Sequence, residues 1–154
     1  MHGSGIHQSG NTAWTEHQIL NHVKQSLRVT LDWKVPSVGL SRKLSSLLFI
    51  LKSYQRHLER LMKLEEENGY MEVVSDTKPN MQCRIDRLVQ DHVQFRNNVG
   101  ALLPMVEGMT DCRSEQLEEV CNNIHDLLAF VDRHDAEEIE LLQESFLYDE
   151  GGEG

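Results

Sequence analysis

Apolar side chains recur along this chain at intervals of three and four, the spacing that lines them up on one face of an α-helix. One stripe runs through Leu20, Val23, Leu27 and Leu31, and a second through Leu47, Leu51, Tyr54, Leu58, Leu61 and Met62. A third joins Ile85, Leu88, Val89, Phe95, Val99 and Leu102; a fourth joins Ile124, Leu127, Leu128, Val131, Leu141 and Leu142. No segment shows strand-like alternation bounded by hairpin turns. An amphipathic helix buries its stripe against another helix, so the pattern confines the chain to an all-α fold. Four such helices with short connections predict an up-down-up-down four-helix bundle.

The first helix is expected from about Thr12 to Trp33. Lys34-Val35-Pro36 stops it, because the residue before a proline is pushed out of the helical region. The second is expected from about Ser37 to Glu67, ended by Asn68-Gly69. Residues 70–79 read as a loop or partly ordered linker. A third helix is expected from about Asn80 to Val106, with Pro104 in its last turn or at a kink. Gly108-Met109-Thr110-Asp111 forms the next turn, Asp111 acts as N-cap, and the fourth helix runs to about Leu147. Residues 1–11 and 149–154 read as disordered tails, which leaves 12–148 as the domain.

At 154 residues the chain is large enough for one sizeable core. Its net charge of −10, with Glu65-Glu66-Glu67 clustered and an acidic stretch after Tyr148, argues against nucleic acid as a partner. No apolar run approaches the roughly 18–20 residues of a membrane span, and Met1-His2-Gly3-Ser4-Gly5 does not open like a signal peptide. Cys83, Cys112 and Cys121 lack C-x-x-C spacing and read as reduced thiols of a cytoplasmic protein. No nucleophile–base–orienter set and no glycine-rich phosphate loop is visible, so nothing points to hydrolysis or nucleotide chemistry. An enzyme is not the expectation.

Ionisable residues interrupt the stripes. His134 and Glu138 lie one turn apart on the fourth, and His92 sits within the third. Glu65 or Glu66 ends the second, where the drifting seam favours Glu65 as the inward carboxylate. Ahead of the first stripe, His17 borders the apolar face and Glu16 lies closer to its centre. His22, His57 and His125 read as surface residues, and Trp14 and Trp33 as core filler or staple. Charged groups are almost never fully buried unless they are paired or bind a metal. Imidazole with carboxylate suits iron, zinc or manganese, and a carboxylate can bridge two metals. The E-x-x-H repeats of ferritin-like di-iron proteins are missing.

Glu16-His17, Leu61-Met62-Lys63-Leu64-Glu65-Glu66, Asp91-His92 and Phe130-Val131-Asp132-Arg133-His134-Asp135-Ala136-Glu137-Glu138 together resemble the hemerythrin-like HHE cation-binding domains. The resemblance covers about residues 14–147. It implies a bundle holding non-haem iron, mono- or dinuclear, with metal candidates His17, Glu65, Glu66, His92, His134 and Glu138. His17 and one helix-two Glu would hold one position, His92 and His134 the other, with Glu138 bridging. The implied role is oxygen, redox or iron sensing, or metal handling, with O2 or another small molecule as ligand.

Two departures stand out. Leu61 or Met62 occupies the place where the family has a His, and Arg96 occupies that of a further helix-three His. Each metal of a dinuclear centre would then lack one imidazole. Arg96 also motivates a rival reading, in which its guanidinium neutralises Glu65 or Glu138. The chain would then be a metal-free, degenerate bundle acting as a protein-interaction module. The sequence supports both readings.

Overall fold

The computed structural model describes residues 2–109 and 114–152, with side chains described at 12–36, 38–109 and 115–147. Its helices are α1 (His2–Asp32), α2 (Leu40–Glu66), α3 (Tyr70–Thr77), α4 (Gln82–Glu107) and α5 (Ser114–Gly152). Single 3-10 turns at Ser37–Gly39 and Pro79–Met81 lead into α2 and α4. There is no strand among the described residues. The fold is all-α, with four long helices packed together: α1 lies along α2, α2 meets α4, α4 lies along α5, and α5 touches α1.

The stripes become the core. α2 buries Leu47, Leu51, Tyr54, Leu58, Leu61 and Met62, and α4 buries Ile85, Leu88, Phe95, Val99 and Leu102. Leu20, Leu27 and Leu31 face them from α1, and Ile124, Leu127, Leu128 and Val131 from α5. Phe95 meets Phe130 edge-on with ring centroids 4.8 Å apart. Each such side chain stabilises the bundle by about 1.5–3 kcal/mol through loss of apolar surface to water. At the rim, Lys24 and Arg28 of α1 both bond Asp132 of α5. Trp14 and Trp33, expected as filler, are instead exposed, because their positions fall off the buried stripe.

A tight turn at the end of α2 sets where α3 begins. Asn68 adopts a left-handed φ of 58°, which asparagine tolerates and which closes the helix. A Cβ on Gly69 would stand 2.2 Å from the Leu64 carbonyl oxygen and 2.4 Å from that of Glu65, so only glycine fits. The chain turns there at once into α3. Residues 70–79 are therefore not the expected loop: eight of them, Tyr70–Thr77, form a helix. Met71 and Val74 on α3 pack with Ile85, Leu88 and Leu141. A helix this short buries only one apolar pair, Met71 and Val74, too little for periodicity to register. Lys78, held out of the helical region by Pro79, ends it.

α4 carries Pro104 inside its last turns and continues to Glu107. α1 and α5 extend past the ends that the periodicity predicts. Asp111 and Cys112 lie outside the described residues, as does the N-cap expected at Asp111. Cys83 is exposed and Cys121 is buried. No helix among the described residues is long and apolar enough to cross a membrane.

Candidate metal centre

The last turn of α2, the middle of α4 and the centre of α5 meet at one end of the core. They bring in Glu65 (5% exposed), His92 (1%), His134 (3%) and Glu138 (4%). One nitrogen or oxygen from each lies within 4.8 Å of the others. His92 Nε2 is 3.2 Å from His134 Nε2 and 3.6 Å from Glu65 Oε1, and His134 Nε2 is 3.0 Å from Glu138 Oε2.

The other ring nitrogens explain why both Nε2 atoms point inward. His92 Nδ1–H donates to Glu66 Oε2 at 2.8 Å, and His134 Nδ1–H donates to Asp91 Oδ2 at 2.9 Å. A carboxylate accepts only from N–H, so each Nδ1 carries a proton; a neutral ring then turns its lone pair inward through Nε2, whereas a protonated His134 also gives its Nε2–H to Glu138. Phe95 holds the His134 ring edge-on, with centroids 5.1 Å apart. Two imidazole lone pairs and two carboxylates thus converge on one small buried volume. Four acceptors in such a space need protons or a cation among them.

His17 stands at the mouth, its side chain 31% exposed. Its Nε2 lies 3.7 Å from Glu138 Oε1 and 4.0 Å from Glu65 Oε2. Each carboxylate therefore turns one oxygen toward His17 and the other toward the imidazole pair. His17 is thus adjacent to the group of four rather than one of it.

Glu66, also a candidate ligand by sequence, is not one of the converging groups. It lies behind His92, and its oxygens meet His92 Nδ1 and, at 3.0 Å, the Arg96 guanidinium. Helical rotation decides this: Glu65 continues the buried seam of Leu58, Leu61 and Met62, and Glu66 falls one position beside it. Arg96 spends its other nitrogen on Glu59, with Nε 2.9 Å from Oε2. It pairs with neither Glu65 nor Glu138, whose ion pairs among the described residues are all with histidines. The buried salt bridge from Arg96 to Glu65 or Glu138 does not form. Glu16 is fully buried but serves elsewhere, meeting His57 Nδ1 at 3.0 Å and Arg60 at 3.2 Å. His57 is accordingly half-buried, not the expected surface residue, whereas His22 and His125 are exposed.

Asp91 and Tyr70 were not legible as site residues. Asp91 immediately precedes the inward His92, and that adjacency is the one signal in the sequence that pointed to it. Tyr70 opens α3, and burial of its phenol, with the Glu138 and Glu65 carboxylates adding to the effect, pushes the hydroxyl well above its ordinary range. The Tyr70 hydroxyl is buried, and Glu138 Oε2 has the His134 ring nitrogen at 3.0 Å as its ion-pair partner.

The electrostatics reflect this crowding. Burial raises the Glu65 carboxyl well above its ordinary range, and the adjacent Glu138 carboxylate raises it further. Burial opposes charge on Glu138 too, but protonated Glu65, His134 and His17 outweigh it and hold Glu138 well down. Burial also opposes charge on His134, yet Glu138 and Asp91 lift it above the usual imidazole value. His92 moves the other way: burial lowers it, against the pull of Glu66, and His134 adds to the lowering. His17 is raised by Glu138 against its own partial burial, with Asp135 helping.

The donor set fits a borderline transition metal: imidazole nitrogens and carboxylate oxygens, each imidazole oriented from behind by a carboxylate. No protein-family model matches this chain, nor does any curated protein or solved structure.

Proposed function

We propose that this chain is a hemerythrin-like, up-down-up-down bundle of the cytoplasm that binds a non-haem transition metal, iron before zinc or manganese. Its role is oxygen, redox or metal sensing, or metal handling. The observation that carries this reading is the convergence of His92 Nε2 and His134 Nε2, 3.2 Å apart, on Glu65 and Glu138.

In this reading Glu65, His92, His134 and Glu138 hold the metal, and His17 serves a second position or guards the first. Glu66 and Asp91 fix the tautomer and orientation of the two imidazoles, so the Nε2 atoms need no rearrangement to bind. Iron held there would supply a redox change and an attachment point for a small ligand. On binding, the site gives up the protons that Glu65 and His134 otherwise keep, because ligands bind deprotonated. The apolar core around Phe95 and Leu61 limits water at the inner wall.

The rival reading, a metal-free interaction module, retains one support: a protonated Glu65 and a protonated His134 neutralise the cluster without metal. Thermal melting separates the two. Adding ferrous iron to chelator-stripped protein should raise the melting temperature, since a ligand bound only by the native state adds about 2.7 kcal/mol at a hundredfold excess over Kd. His92→Ala should abolish that rise while the bundle stays helical. If iron, zinc and manganese all leave the wild-type melting temperature unchanged, the metal reading fails and the interaction module takes its place.

A further inference from the structure

Charge is divided unevenly along this chain. Residues 1–66 hold nine Lys and Arg against five Asp and Glu, whereas residues 67–154 hold six against 20. The fold keeps the two groups apart. α1 and α2 lie along each other, as do α4 and α5, and α1 and α4 each touch both α2 and α5. α2 and α5 therefore stand at opposite corners of the bundle.

The outer face of α2 is basic throughout. Its exposed charged residues between positions 42 and 63 are Arg42, Lys52, Arg56, Arg60 and Lys63, which share one helical stripe about 30 Å long. Glu59, the one acid in that stretch, is turned to Arg96 of α4. Lys52 meets Glu107 and Arg60 meets Glu16, but Arg42, Arg56 and Lys63 have no ion-pair partner among the described residues. Phe49 stands within the stripe, 75% exposed. A lone surface ion pair contributes almost nothing, so one spare cation would mean little. A row of them on a chain of net charge −10 is a concentrated field of the minority sign.

α5 carries the complement. Glu115, Glu119, Asp126, Glu137 and Glu140 are exposed on one stripe of its outer face. Arg133, the one Lys or Arg of this helix, lies among them with its guanidinium over the Phe130 ring. The basic and acidic faces look away from each other across the bundle, so they meet only between molecules.

We propose that the outer face of α2 binds the acidic outer face of α5 on a second copy of this chain. The contact is head-to-tail, and further copies add at either end. Complementary charge steers it. At about 0.1 M salt, charges more than about 10 Å apart are largely screened, and the bundle is roughly 20 Å thick. The facing stripes then outweigh the repulsion between the acidic remainders of the two chains.

The test is sedimentation of the full chain over a range of concentrations. At about 0.1 M salt the average mass should rise with concentration, and at about 1 M, where the screening length is about 3 Å, association should weaken at least tenfold. Arg56→Glu with Lys63→Glu should weaken it at least tenfold at the lower salt, because like charges then face each other. Glu119→Lys with Asp126→Lys should do the same. A mixture of the two double variants should associate again, since the native α2 of one meets the native α5 of the other. Wild type that stays monomeric overturns the proposal, as does association that either pair of reversals or high salt leaves intact. A mixture that stays monomeric overturns it too. A monomeric wild type that instead sediments with vesicles of phosphatidylserine and phosphatidylcholine overturns it in favour of a membrane surface. If one double variant does not fold, the other and the salt response decide.

Discussion

His92 and His134 face each other through the same atom, Nε2 to Nε2 at 3.2 Å, because each is held from behind by a carboxylate, Glu66 and Asp91 respectively. A histidine that merely fills a core donates one nitrogen and accepts at the other. Here both outer nitrogens donate, so each inner nitrogen is free to accept once its ring is neutral, His134 having first given up the proton it shares with Glu138. That pairing brings two buried histidines and two carboxylates into a group that could hold a metal ion.

Asp91 is the more informative of the two carboxylates, since Glu66 also serves Arg96. Asp91→Ala should lower metal affinity about 10–100-fold, the range for removing an orienting partner of a ligating histidine. Its side chain is 22% exposed, so the bundle should remain folded. A competition titration with a chelating dye reads the affinity. An unchanged value would mean that something other than Asp91 orients His134.

The pH dependence has opposite signs with and without metal. His134 and His17 are held above 6.5, and Glu65 above 4.5. At these groups the folded chain binds more protons than the unfolded one. Their stabilisation is complete below the unfolded values and is lost as pH rises through the folded ones. Glu138, held low, loses its contribution only in acid, and the lowered His92 has no further effect well above 6.5. The metal-free chain should therefore melt at lower temperature as pH climbs above 6.5. Metal binding should strengthen over the same range, because protons no longer compete for the ligands. Melting curves in chelator and in metal should diverge with pH; parallel curves would count against the cluster as the binding site.

Two glycines test the geometry of the α2–α3 turn. Gly69→Ala drives a Cβ to 2.2 Å from a backbone oxygen that cannot move without unwinding α2, so a loss of about 1–3 kcal/mol is expected. Gly100, inside α4, has nothing within 4 Å of the added atom. Gly100→Ala should stabilise by about 0.5–1 kcal/mol through helix propensity. Urea unfolding measures both. Similar effects from the two substitutions would contradict the close approach at Gly69.

Leu61 sits one helical turn before Glu65, where the resemblance to hemerythrin-like domains implies a histidine. Leu61 is buried, so Leu61→His should destabilise the metal-free chain by about 1–3 kcal/mol, the cost of a polar group left without its partner. Metal should reverse that loss and bind more tightly than to wild type. If metal fails to restore stability, position 61 is core alone and the implied ligand pattern does not transfer to this chain.

The helical pattern made most of the fold legible, because burial at helical spacing leaves a strong periodic record: Leu47 through Met62 and Ile85 through Leu102 lie where the stripes put them. The same seam singled out Glu65, His92, His134 and Glu138, since each occupies a position at which an apolar residue would otherwise stand. What it missed was off the seam. Glu66 reads in sequence as a candidate ligand rather than as the partner behind His92, Asp91 looks like a solvated acid, and only the packing of α4 against α2 and α5 sets them against His92 and His134. Glu16 reads as close to the centre of the α1 face and is buried there, but its pairing with His57 and Arg60 depends on how α1 rotates on α2, which no single stripe encodes. Arg96 was placed beside the site, but not the competition from Glu59 that draws it outward. Tyr70 was hidden because its helix has only eight residues.

The most direct measurement is metal content by elemental mass spectrometry on untagged protein, purified without chelator from iron-supplemented cells, for wild type and His134→Ala side by side. At least one tightly held iron per wild-type chain is expected, falling to a small fraction of that in a folded His134→Ala protein. Wild-type content near zero that persists after anaerobic reconstitution, or equal content in both proteins, would contradict the assignment of His92, His134, Glu65 and Glu138 as a metal centre.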